Sequence, residues 1–115
     1  MCSETVLNII TSEVVKAARE SLGDKLDRVI LYGSYARGDY NDESDIDIMV
    51  LADIDNAEEL REKEKALWGV GWELGYEHDV LVTVFFKDCE TFYKYIDDLP
   101  YYTNVQKDGV ELYAG

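Results

Sequence analysis

Residues 45–51, Asp-Ile-Asp-Ile-Met-Val-Leu, constrain this chain more than any other stretch. Side chains alternate between the two faces of a β-strand, so Asp45, Asp47, Met49 and Leu51 share one face and Ile46, Ile48 and Val50 the other. The interleaved apolar residues anchor the strand in the core and fix the acidic face in place. Residues two apart on one face hold their Cβ atoms about 6–7 Å apart. Two carboxylates held that way repel each other unless a cation sits between them. Hard oxygen ligands with open positions for water and phosphate suit Mg²⁺ or Mn²⁺.

The neighbouring segments supply layers for such a strand. Val6, Ile10, Val14 and Ala17/Ala18 have the spacing of an amphipathic helix, with Ser3 as its N-cap and Gly23 as its stop. Residues 28–32 read as a buried strand ending at Gly33, followed by a loop with one helical turn at 34–37. Asn56 and Glu59 resemble a capping box opening a second helix, which carries Leu60, Leu67, Val70 and Leu74. Trp68 and Trp72, one turn apart, are expected to pack onto the sheet; Gly69, Gly71 and Gly75 suggest close packing or an early end. Residues 80–86 form a third strand with Asp79 at its entrance. A short helix over 90–98, a break at Pro100 and a strand-like tail over 110–113 complete the order. The pattern predicts an α/β (α+β) sandwich with a small mixed sheet.

The 115 residues suit one domain spanning 1–115 with a single modest core. The longest apolar runs are strand-sized, and the N-terminus carries Glu4 where a signal peptide would be basic, so the expected location is the cytoplasm, with no membrane segment. A net charge of −14 with scattered Lys and Arg leaves no basic groove for a nucleic-acid backbone. It suits solubility or a basic protein partner. Cys2, in a loose terminus, and Cys89 have no zinc spacing, and a disulfide would be out of place in the cytosol. His78, the only histidine, reads as a strand-end residue beside Asp79.

Gly33-Ser34 gains meaning from the acidic pair. A strand that ends in Gly-Ser and turns into a helix presents free backbone N–H groups to an anion. Gly33 admits a phosphate close to the backbone, and the Ser34 hydroxyl can donate to a phosphate oxygen. Gly-Ser alone says little, and two aspartates on a strand are only moderately specific. In this order, on consecutive strands, they set a phosphate cradle beside a metal site.

Gly33-Ser34, ten residues, then Asp45-x-Asp47 is similar to the signature of the minimal nucleotidyltransferases (MNT), the smallest members of the DNA polymerase β-like superfamily. These are commonly the antitoxin half of HEPN/MNT toxin–antitoxin pairs. The motif spans 32–50, and a looser likeness, including Gly109-Val-Glu-Leu-Tyr113, extends over most of the chain. The resemblance implies two Mg²⁺ ions, ATP or another NTP as donor, and a third carboxylate on the next core strand. Asp79 is the matching candidate, against a plain solvated strand-start aspartate. On this reading Asp45, Asp47 and Asp79 are the catalytic and metal-binding set. Ser34 with the Gly33 backbone grips the terminal phosphates, and Asp79 also takes the proton of the attacking hydroxyl. Arg37 either contacts phosphate or pairs with Asp39 or Glu43; Asp39 and Asp42 read as loop carboxylates. The Tyr-rich end (Tyr93, Tyr95, Tyr101, Tyr102, Tyr113) serves either as a partner surface or as packing that caps the sheet.

The expected activity is transfer of a nucleotide, AMP from ATP, to a hydroxyl of a partner protein. The chain carries no acceptor-binding domain, so a second copy (a homodimer) or a separate protein supplies the acceptor. The resemblance favours a HEPN-type RNase toxin, modified on a side chain such as tyrosine. The alternatives are an antitoxin that acts by contact alone, against which the intact acidic pair argues, and a small-molecule transferase of the aminoglycoside-modifying kind.

Overall fold

The computed structural model describes residues 3–41 and 44–115; Cys2, Asp42 and Glu43 lie outside the described residues. The elements run α1 (Glu4–Leu22), a 3₁₀ turn (Gly23–Lys25), β1 (Leu26–Tyr32), α2 (Ser34–Arg37), β2 (Ile46–Ala52), α3 (Ala57–His78), β3 (Val82–Asp88), α4 (Cys89–Lys94), α5 (Pro100–Asp108) and β4 (Val110–Ala114). The strands form one mixed sheet in the order β3-β2-β1-β4. β1 is antiparallel to β2 and to β4, while β2 and β3 run parallel, joined through α3.

The alternation of β2 builds a core on each face. Ile46, Ile48, Val50 and Ala52 join Val82, Val84 and Phe86 under α1 and α3. On the opposite face Met49, Leu51 and Ile30 meet Phe92 of α4 and Tyr102 and Val105 of α5. Burying each large aliphatic or aromatic side chain of this kind contributes roughly 1.5–3 kcal/mol, so β2, paired on both edges, is the most firmly held element.

Local chemistry sets the helix ends. Ser3 Oγ accepts from the Val6 N–H at 3.2 Å, and Gly23, at φ 53°, closes α1 with its N–H on the Arg19 carbonyl. The Asn56 side chain accepts from the N–H groups of Glu58 and Glu59. Glu59 does not reciprocate as a capping box would, because its carboxylate binds Lys25 Nζ at 2.8 Å.

Four expectations change. Pro100 opens a helix instead of breaking one, since its missing N–H costs nothing at the first helical position. Trp68 and Trp72 are 50% and 67% exposed and lie outside the sheet core. His78 is the last residue of α3, and β3 begins at Val82, so Asp79 belongs to a helix end. The glycines of α3 do not end it: an added Cβ at Gly75 would collide with the Val80 carbonyl oxygen, and one at Gly71 would crowd Val82 and Val84. Gly69 faces open space.

These glycines make a matched pair. Gly75→Ala is expected to destabilise the fold by about 1–3 kcal/mol, because backbone must shift to admit the methyl group. Gly69→Ala is expected to stabilise it by about 0.5–1 kcal/mol through helix propensity. Urea denaturation of the two variants checks both signs.

Candidate active site

The functional cluster lies on the α4/α5 side of the sheet, at the end where β1 leaves and β2 enters. In the register of β1 and β2, Tyr32 stands opposite Asp47, which brings the Gly33 turn against the acidic pair. A Cβ built on Gly33 would lie 2.5 Å from Asp47 Oδ2. Gly33 also takes φ 78°, a left-handed backbone that side chains rarely adopt. Both reasons demand glycine here, and the sequence motif announces only the first residue of the turn.

Ser34 opens the four-residue turn α2, whose ladder begins with the Arg37 N–H donating to the Gly33 carbonyl at 3.1 Å. The turn is pinned by Tyr35, buried and stacked on Tyr40 with ring centroids 4.4 Å apart. Ser34 thus lies at a free helical N-terminus, partly exposed, beside the carboxylates. Arg37 pairs with Asp39, its Nε donating to Asp39 Oδ2 at 3.1 Å, and its charge also draws the Asp47 carboxyl toward its ionised form.

Asp45 sits just before β2, where the Ile46 N–H donates to the Leu81 carbonyl at 2.9 Å. Asp47 is half-buried, and burial foremost, then repulsion from Asp45, push its pKa above the ordinary carboxylate range. The pair is therefore electrostatically unsatisfied. Two hard oxygen donors that repel each other fit a divalent cation, which would neutralise both.

Asp79 is placed elsewhere. It caps α3 in the left-handed region (φ 56°, ψ 48°), with its N–H bonded to the Gly75 carbonyl. It is exposed and lines a cleft with Trp72 and Tyr76. The residue of β3 in register with Asp47 is Thr83, so the third strand presents a hydroxyl at that level. Among the described residues no group of three His, Cys, Asp or Glu side chains is arranged to hold a metal ion. The physical reason is the tight helix exit: Gly75 lets the chain fold back so closely that the Asp79 backbone is held in the cap of α3.

Sequence reasoning missed the aromatic wall of the site. The hydroxyls of Tyr32 and Tyr101 share a hydrogen bond of 2.7 Å, with their rings edge to face, and Phe85 lies 6.5 Å from Tyr32. Burial, the shared hydrogen bond and the Asp47 charge hold the Tyr32 phenol protonated, far above its usual value. Tyr32 was findable as the residue before Gly33; Tyr101 comes from the far end of the chain. Of the other tyrosines at this end, Tyr102 is buried, while Tyr93 is exposed and donates to Asp27 at 2.8 Å.

A family model described as a nucleotidyltransferase domain matches residues 12–108. "Putative protein adenylyltransferase MJ0141" of Methanocaldococcus jannaschii is 38% identical over 95 residues, covering 81% of this chain and 91% of that protein. A second protein of that organism, "Putative protein adenylyltransferase MJ0604", is 49% identical over 43 residues, 37% of this chain and 43% of its own. The chain belongs to the nucleotidyltransferase domain family. Its fold matches a chain of a toxin–antitoxin crystal structure with AMP-PNP (TM-score 0.57, 23% identity, 91% of this chain and 73% of that one). It also matches a chain of a tri-AMPylated Shewanella oneidensis HEPN toxin in complex with MNT antitoxin (TM-score 0.54, 21% identity, 94% and 72%). No helix of the described residues is long and apolar enough to cross a membrane.

Two outcomes follow from the site. A carboxyl whose pKa is raised on folding loses stability as pH climbs from the ordinary carboxylate value through the raised one, so ionised Asp47 weakens the fold at neutral pH. Asp47→Asn is expected to raise Tm at pH 7 in metal-free buffer, with the gain vanishing below the carboxylate range, while abolishing nucleotide transfer. Thermal melts across pH check this, and an unchanged or lower Tm contradicts it. Gly33→Ala is expected to displace the Asp47 carboxylate and cost roughly 10²-fold in transfer rate, read by steady-state kinetics beside a circular dichroism control for folding.

Proposed function

We propose that this protein transfers AMP from ATP, with Mg²⁺, to a hydroxyl of a partner protein, and that the partner is a HEPN-type toxin silenced by the modification. The carrying observation is the acidic pair Asp45/Asp47 set rigidly against the Gly33-Ser34 turn. The names of the relatives support a protein acceptor, and the partners in the structural neighbours support the HEPN assignment. The reaction takes place in the cytoplasm, where ATP is supplied.

In this reading Asp45 and Asp47 would hold the Mg²⁺, which neutralises the phosphate oxygens when bound. The Ser34 hydroxyl and the N–H groups opening α2 bind the terminal phosphates and orient the triphosphate, with Arg37 contributing positive charge. The acceptor oxygen attacks the α-phosphorus in line, a new P–O bond forms, and pyrophosphate departs on the Ser34 side. The acceptor's proton leaves to water across this open face. Tyr32 and Tyr101 wall the entrance, and the exposed Phe85 and Leu81 offer an apolar shelf for the incoming partner.

A second reading, neutralisation by contact alone, is favoured because among the described residues no third carboxylate joins Asp45 and Asp47 in a group that could hold a metal. One experiment separates them. A HEPN-type toxin from the same organism is incubated with this protein, ATP and Mg²⁺, then weighed by intact-mass spectrometry. The transfer reading expects one AMP added per modified hydroxyl, none with Asp45→Asn/Asp47→Asn, and loss of neutralisation by that double variant. A double variant that still neutralises an unmodified toxin establishes the contact mechanism instead.

A further inference from the structure

The outer face of α3 carries an aromatic stripe that, among the described residues, no element of the chain covers. Trp68, Trp72 and Tyr76 follow one another at four-residue spacing and are 50%, 67% and 81% exposed. The stripe is held in shape. The Trp68 indole N–H donates to the Val84 carbonyl at 2.7 Å, and Trp72 lies parallel to Tyr76, centroids 5.7 Å apart and planes within 5°. Rigid aromatic surfaces of this kind lose little entropy when a partner covers them. Gly71 and Gly75 open a cleft of about 300 Å³ beside the stripe, floored by Val80, Leu81 and Val82.

Two further observations say what covers it. The stripe runs up to the active site: Leu81, 59% exposed, gives its carbonyl to the Ile46 N–H next to Asp45. Its rim is acidic, with Glu73, Glu77 and Asp79 all exposed, and from Trp68 to Leu81 the chain has no Lys or Arg. A second copy would set the same acids against themselves on a chain of net charge −14, and anionic lipid or nucleic acid would be repelled. Lysine and arginine side chains are attracted both by the carboxylates and by the faces of Trp72 and Tyr76.

We propose that Trp72, Tyr76 and Leu81, rimmed by Glu73, Glu77 and Asp79, form the docking surface for a basic, Lys/Arg-bearing segment of the protein that supplies the acceptor hydroxyl. The identity of that protein rests on the transfer reading above; the shape and charge of the surface do not. Docking here delivers an acceptor side chain past Leu81 and Phe85 to the acidic pair, and so supplies acceptor recognition.

Both tryptophans of the chain lie in the stripe, so intrinsic fluorescence reads docking directly. A full-length HEPN-type toxin from the same organism is titrated into the wild type and into Trp72→Ala, Tyr76→Ala and Glu73→Lys/Glu77→Lys, with AMP transfer followed in parallel. The proposal expects a shifted emission and binding that weakens as salt is raised. It expects each variant to raise the dissociation constant and the acceptor KM about tenfold or more, with the KM for ATP unchanged. The exposed positions should leave thermal melts unaltered, and the charge-reversal variant keeps both indoles. If the wild type transfers AMP and the variants bind and transfer equally well, the docking surface is wrong and the transfer reading stands. If the partner binds through the stripe without being modified, the docking surface stands and the transfer reading falls. No binding by the wild type overturns the docking proposal.

Discussion

Two like charges held side by side by a strand that cannot turn them are the constraint on which the rest depends. β2 is paired on both edges and buried along nearly its whole length, so Asp47 has no backbone route away from Asp45. The repulsion, together with partial burial, lifts the Asp47 pKa. The cores on both faces of β2 supply the stability that tolerates this local cost. The cost is also what makes the site useful, because a cation and a polyphosphate relieve it together.

The surrounding elements serve to bring one turn and one wall to that pair. The β1–β2 register sets the Gly33 turn against Asp47, and the stacked Tyr35 and Tyr40 hold Ser34 at the start of its helical turn. Tyr101, carried in by α5, closes one side through Tyr32. The opposite side stays open toward Leu81, Phe85 and the α3 stripe. The site is thus rigid at the Gly33 turn and open toward Leu81.

What was legible in the sequence was what depends on short-range periodicity. The alternation at 45–51 revealed the central strand, which begins at Ile46 with Asp45 just before it and close enough to repel Asp47, and Ser3, Asn56 and Gly23 marked helix ends through local hydrogen bonding. What was hidden depends on contacts far apart in the chain. Tyr32 and Tyr101 meet across 69 residues, and no local pattern signals that. Asp79 looked like a strand entrance because it precedes a β-branched run, but the close approach of Gly75 to Val80 draws it into a helix cap. Pro100 was ambiguous in principle, since proline both ends helices and begins them. Trp68 and Trp72 have the spacing of a core face, and only the placement of α3 over the sheet shows that their side of the helix is the uncovered one.

The central claim is that the bond broken lies between the α- and β-phosphates, which distinguishes nucleotidyl transfer from phosphoryl transfer on the same acidic scaffold. The most direct measurement uses ATP labelled at the α-phosphate in one reaction and at the γ-phosphate in another, with Mg²⁺ and the partner protein. The account predicts that the α label becomes covalently attached to the partner while the γ label appears only in pyrophosphate. Attachment of the γ label to protein would contradict it.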